Sequence, residues 1–259
     1  MKKLLSVFCL FVSIQINIFS QSVYSVDLKK DIIIGTLSLG IGLTPFFINN
    51  EPENIPGILN KNEVNGFDRY LMFSYNKPLD LFSDYTPYAM SLLPIISIIP
   101  NIKDKNTTLT YGIMYSESLL LVYGTEHLLK RAIIRYRPYM YADGVPAGKE
   151  KDYYNSFPSA ATAFAFSSAT FLSTTFSREF PESQWKLPII IGSYTLAAGI
   201  GTMRILSGAH FTTDVLSGAA IGLLYGWIVP WLHLKNGNED NKNFTIVPTG
   251  NGMMFVVRL

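Results

Sequence analysis

Arg204-Ile205-Leu206-Ser207-Gly208-Ala209-His210-Phe211-Thr212-Thr213-Asp214 sets three titratable or charged side chains between two long uncharged stretches, Leu187 to Met203 and Val215 to Leu234. Stretches of that length and composition read as helices long enough to span a bilayer. His210 and Asp214 are separated by three residues, so on a helix that opens here they share a face. The carboxylate is then expected to hold one ring nitrogen as N–H and leave the other free to react.

Two further segments work outward from this one. Ser156-Phe157-Pro158-Ser159-Ala160-Ala161-Thr162 opens another uncharged stretch, Pro158 to Phe176, with Ser159 in the place of a helix N-cap. Lys130-Arg131-Ala132-Ile133-Ile134-Arg135-Tyr136-Arg137-Pro138 follows the stretch Thr108 to Leu129, which contains Glu117 and Glu126. Taken alone, Lys130, Arg131, Arg135 and Arg137 read as a basic helix end at a membrane surface. Taken together and in order, Lys130, Arg137 and Arg204 supply three cations, and Ser159 with the amides of Ala160 and Ala161 supplies an anion nest, a set suited to one phosphate. If consecutive helices run antiparallel, all these residues emerge at one end of a bundle.

The three segments, within roughly residues 110 to 232, resemble the type 2 phosphatidic acid phosphatase family, which shares its site with bacterial acid phosphatases and vanadium haloperoxidases. The resemblance implies an all-α, six-helix membrane bundle of the lipid phosphatase and haloperoxidase type. It implies a metal-independent hydrolase without a cofactor, in which His210 is the nucleophile, Asp214 its orienting partner, and Lys130, Arg137, Ser159 and Arg204 the phosphate-binding residues. The expected substrate is a phosphorylated lipid, the expected partner a membrane.

One position departs from the family pattern. Where family members carry Pro-Ser-Gly-His, with the histidine protonating the leaving group, this chain has Pro158-Ser159-Ala160-Ala161. General-acid assistance is worth roughly 100-fold to 10,000-fold to a poor leaving group. Its loss favours a polyprenyl diphosphate, whose leaving phosphate needs no proton, over a phosphatidate. It also keeps open a weakly active pseudophosphatase that binds a phospholipid headgroup. Glu126 and His127, one turn before Lys130, are the candidates for a substitute acid.

Composition agrees with a membrane setting and excludes other classes. Of 259 residues 48% are hydrophobic and 15% charged, and the net charge is +2, too small to point to nucleic acid. No metal-ligand cluster is legible among the three histidines, and the single cysteine, Cys9, allows no internal disulfide. Met1 to Ser22 reads as a bacterial secretory signal or an uncleaved anchor, 23–235 as the helical domain, and 236–259 as a polar linker and tail. Six uncharged or nearly uncharged stretches are the candidate membrane helices: Ile32 to Asn49, Pro87 to Ile102, Thr108 to Leu129, Pro158 to Phe176, Leu187 to Met203 and Val215 to Leu234. Glu51 to Asp84 suits one or two interfacial helices, and Phe244 to Leu259 two short strands about a turn. Counts of lysine and arginine do not decide the orientation; by resemblance the site is expected at the periplasmic face of a bacterial cell membrane.

Overall fold

The computed structural model describes residues 22–48, 52, 54–99, 104–142, 144–235, 244–249 and 252–257. The N-terminal signal or anchor, Cys9 and most of the polar linker lie outside the described residues.

Hydrophobic runs become helices, and one of them stops at a proline. Helix α1, Leu28–Leu43, ends before Pro45, which opens a 3-10 turn at Thr44–Phe47. A short helix α2, Gly66–Tyr70, is capped by the Asn65 side chain. Helix α3, Lys77–Met90, is capped by Asn76 and carries Pro87 inside it. The stretch from Pro87 to Ile102 is not the single helix its apolar content suggests. α3 ends at Met90, Ser91 to Pro94 turn, and Ile95–Ile98 form one helical turn, α4. The remaining helices are α5 (Lys105–Ala132), α6 (Ala160–Glu179), α7 (Lys186–Leu206) and α8 (Thr212–Leu232). An antiparallel pair follows, β1 (Phe244–Thr249) and β2 (Gly252–Val257), with Phe244 opposite Val257.

Helix α6 is the centre of the bundle, touching α3, α4, α5, α7 and α8. Its contact with α8 is made by small residues in matching four-residue steps. Gly218, Gly222 and Gly226 face the backbones of Ser159, Ala163 and Ser167, and a Cβ at Gly226 would sit 2.6 Å from the Ser167 carbonyl oxygen. Only glycine permits so close a crossing. On the other side of the bundle, Gly124 of α5 meets the Ile41–Gly42 backbone of α1 at 2.5 Å by the same measure.

The interior is rich in hydroxyls, and the outside is apolar. Buried Ser167, Ser168, Thr170, Ser173 and Thr175 line α6. They reach across helices: Tyr115 to Ser168 at 2.8 Å, Tyr194 to Thr170 at 3.0 Å, Ser97 to Thr175 at 2.9 Å. Leu187, Ile191 and Leu196 of α7, with Leu216, Leu224 and Trp227 of α8, are exposed. Such an outward apolar surface over a polar seam is the arrangement of helices packed in lipid. Among the described residues α7 and α8 are long and apolar enough to cross a membrane, and only 28% and 39% of their most apolar windows is buried. The other four stretches do not meet that measure.

Candidate functional site

The C-terminal end of α5, the N-terminal ends of α6 and α8 and the C-terminal end of α7 meet through the loops between them. After α5, residues Arg135 to Arg137 run alongside Tyr153 to Ser156: Arg135 N donates to Tyr154 O, Arg137 N to Tyr153 O at 2.8 Å, and Ser156 N to Arg135 O. Tyr139, Met140, Tyr153 and Tyr154 pack beneath this ladder and anchor it. Arg137 is thereby held 3% exposed, donating from Nε to Asp152 O and from Nη1 to Ala209 O at 3.0 Å.

His210 lies in the turn between α7 and α8, also 3% exposed. Gly208 makes that turn possible, with a φ of 69° and a Cβ position only 2.6 Å from Phe73 O. The ring Nδ1 is 2.7 Å from the Ser156 carbonyl oxygen, which can only accept, so Nδ1 carries the proton. Nε2 keeps its lone pair and accepts from Arg137 Nη1 at 3.1 Å. Burial first, then the charges of Arg137, Arg204 and Lys130, hold the imidazole well below its ordinary pKa, so it is neutral near pH 7.

Two expected residues make contacts other than those the spacing suggests. Asp214 Oδ2 is 3.6 Å from His210 Nδ1, outside hydrogen-bond reach, because the Ser156 carbonyl occupies that place. Asp214 instead accepts from Ser156 Oγ at 2.6 Å and from Phe211 N at 2.8 Å, closing the first turn of α8, and its other oxygen pairs with Arg135. Ser159 is at the N-cap position of α6, but its hydroxyl is turned to Thr162 Oγ1 at 2.9 Å, and its N–H donates to Asp214 O.

Each cation of the site is matched by a carboxylate. Arg204, 2% exposed, pairs with Asp80 Oδ1 at 2.8 Å and Asp84 Oδ1 at 2.7 Å. Lys149 reaches Asp80 at 2.7 Å and Asp84 at 3.5 Å. Arg137 Nη2 pairs with Asp152 Oδ2 at 2.7 Å, and Lys130 with Glu126 at 3.1 Å. Asp80 and Glu126 are buried, whereas the Asp84 and Asp152 side chains are each 38% exposed. Burial works to raise the Asp152 carboxyl, but Arg137 and then Lys130 hold it below the usual range.

The motif reading missed Asp80, Asp84, Lys149 and Asp152, as well as Arg135, which bridges Asp68 at 2.6 Å to Asp214. A signal existed for Asp80 and Asp84, which fall with Ser83 at helical spacing on α3, and Arg204 Nη1 also donates to Ser83 Oγ at 3.1 Å. Ala161, where the resembled family carries a histidine, packs against the apolar cluster of Met90, Ala165, Ala197 and Ile200. Glu126 contacts His127 as well as Lys130. At the far end of α8, His233 lies beside Asp31 and Glu117.

The chain is 37% identical to a lipid A 1-phosphatase of Porphyromonas gingivalis over 78 residues, 30% of this chain and 16% of that protein. It is 30% identical to phosphatidylglycerophosphatase B of Bacillus subtilis over 127 residues, 49% of this chain and 59% of that protein. The chain thus spans less than two thirds of the length of both relatives. Among solved structures, Aquifex aeolicus LpxE aligns with a TM-score of 0.40 at 27% identity, covering 62% of this chain and 90% of that one. A PAP2-type phosphatidylglycerolphosphate phosphatase from Bacillus subtilis aligns with a TM-score of 0.39 at 20% identity, covering 88% and 94%. Residues 111–238, the span holding Lys130, Arg137, Ser159, Arg204, His210 and Asp214, match the model of the PAP2 superfamily.

Proposed function

We propose that the protein is a bacterial membrane phosphatase that hydrolyses a lipid phosphate or polyprenyl diphosphate through a phosphohistidine at His210. The observation that carries this reading is the tautomer: Nδ1–H is fixed by Ser156 O, and the Nε2 lone pair faces the Arg137 guanidinium. A phosphoryl group held by Arg137, Arg204 and Lys130 brings its phosphorus to that lone pair. Nε2 forms the N–P bond while the P–O bond to the leaving group breaks, and water later cleaves the N–P bond. The ring becomes cationic on phosphorylation, and the Asp214 carboxylate at 3.6 Å supports that charge from behind. Ser159, at the head of α6, adds the helix N-terminus to the phosphate side.

The two relatives, named for activity on a lipid A phosphate and on phosphatidylglycerophosphate, support a lipid substrate. The exposed apolar faces of α7 and α8 support a membrane setting; the periplasmic face for the site rests on the resemblance alone. Because position 161 offers no acid, a diphosphate is favoured over a phosphomonoester. Asp84 and Asp152 lie half-exposed among the cations, whereas Glu126 is buried under Lys130; Arg137 and Lys130 keep Asp152 ionised, so it has no proton to give a leaving group.

A second reading is favoured by the same balanced charges. With every site cation paired and Ala161 inert, the protein is a pseudophosphatase that binds a phosphorylated headgroup and turns over little. Phosphate release by purified protein from a panel of lipid phosphates and diphosphates, beside His210→Ala, separates the two. Turnover of any panel member that is lost in the variant supports the enzyme, and binding without turnover supports its rival.

A further inference from the structure

The end of the bundle away from His210 holds a second polar centre. From Asp214 to His233 the chain advances nineteen residues, about 28 Å at helical rise. His233, the C-cap of α8, is 3% exposed. Its Nδ1 lies 2.9 Å from the Val229 carbonyl oxygen, which can only accept, so Nδ1 bears a proton, and with that one proton on the ring Nε2 presents a lone pair. That lone pair faces Asp31 Oδ1 of α1 at 2.6 Å and Glu117 Oε2 of α5 at 3.4 Å.

Acceptors therefore face acceptors. Both Asp31 oxygens, Glu117 Oε2 and His233 Nε2 are buried without a hydrogen-bond partner. Among the described residues neither carboxylate pairs with a lysine or arginine. One ligand atom from each residue lies within 4.8 Å of the others. A cavity of about 90 Å³, lined by Ser25, Asp27, Lys30, Asp31 and His233, adjoins them.

We propose that Asp31, Glu117 and His233 form a binding site for one divalent transition-metal ion of the zinc class. Two carboxylates and a neutral imidazole suit such an ion in charge and in donor type. The Val229 carbonyl behind Nδ1 is the support that metal-bound histidines generally have. Ligands about 2.0–2.2 Å from zinc in a tetrahedron stand roughly 3.3 Å apart, so Asp31 and His233 must separate by about 0.7 Å. The adjoining cavity leaves a fourth position for water. The ion would tie α1 to α5 and to the end of α8, where Ser25 N already donates to His233 O at 3.0 Å.

The test is a Co²⁺ titration of the purified full-length protein, read by visible absorption, followed by Zn²⁺ competition. One equivalent of Co²⁺ giving ligand-field bands that Zn²⁺ removes is expected. Glu117→Gln and Asp31→Asn, which keep shape, should each weaken binding at least 10-fold, as should His233→Ala, whereas His127→Ala should not change it. Zn²⁺ should raise the thermal midpoint of the wild type and leave that of Glu117→Gln unmoved. Absence of bands in the wild type, or titrations of Glu117→Gln and Asp31→Asn that match it, overturns the proposal. In that case the triad is an imidazolium held between two carboxylates.

Discussion

His210 Nε2 accepts from Arg137 Nη1 at 3.1 Å, while Nη2 of the same guanidinium is paired with Asp152 Oδ2 at 2.7 Å. The lone pair expected to attack phosphorus and the cation expected to bind it are therefore already engaged with each other and with a carboxylate. An entering phosphate has to displace the acid before the imidazole meets it, and Asp84 and Asp152 are the acids with solvent access.

Removing those negative charges should strengthen anion binding. Asp84→Asn and Asp152→Asn are each expected to bind vanadate or inorganic phosphate several-fold more tightly than the wild type, measured by calorimetry, because Arg204 and Arg137 lose a competing partner. If Asp84 also donates the leaving-group proton, kcat for a monoester falls in its variant while affinity rises, and a diphosphate substrate is spared. Unchanged anion affinity in both variants would show that the carboxylates do not compete for the phosphate position.

His210→Ala should abolish phosphate release and only weaken vanadate binding, since Lys130, Arg137 and Arg204 remain. Full turnover by that variant removes His210 as nucleophile.

The pH dependence follows from the depressed imidazole. Attack needs the neutral ring, so the acid limb of kcat/KM attributable to His210 should lie well below pH 6.5. For stability the folded pKa lies below the unfolded value, so the unfolded chain binds the proton more readily in that window. The contribution of His210 is fully present above about pH 6.5 and is lost as pH falls from there toward the folded pKa. Chemical denaturation across pH 5 to 8 checks the sign, with His210→Ala removing that part of the slope.

Ala161 should discriminate between substrates. Ala161→His is expected to raise the rate on a phosphomonoester by roughly 100-fold or more and the rate on a polyprenyl diphosphate much less. Paired with Ala160→Gly to restore room at the helix start, it should create activity in an otherwise inert binding protein. Efficient monoester hydrolysis by the unaltered chain contradicts both versions.

Arg135 supports the site without entering it. Its guanidinium bridges Asp68 and Asp214, both fully buried, and lies 4.5 Å over the Phe211 ring. Arg135→Ala leaves two buried carboxylates without their cation and should cost about 3–5 kcal/mol in unfolding free energy. A loss below about 1 kcal/mol would mean that water or Thr213 replaces the arginine.

The sequence by itself determined the helices of the 105–232 region, their order, and the set of residues suited to phosphate, because those depend on local hydrophobic runs, prolines and fixed spacings. Lys130, Arg137, Arg204 and His210 are legible for that reason, and so is the absence at Ala161. Tertiary structure alone decided what each of them touches. Asp80 and Asp84 come to Arg204 from a helix more than a hundred residues earlier in the chain, and Asp152 comes to Arg137 through a loop ladder. Asp214, four residues from His210, was outcompeted for Nδ1 by a backbone carbonyl at Ser156 that no side-chain motif encodes. The same holds for Asp31, Glu117 and His233, which are remote in the chain and meet where α1, α5 and the end of α8 pack together. Spacing along one helix is set by bond geometry, whereas contact between helices is set by packing, and that is where the charges of this protein are paired.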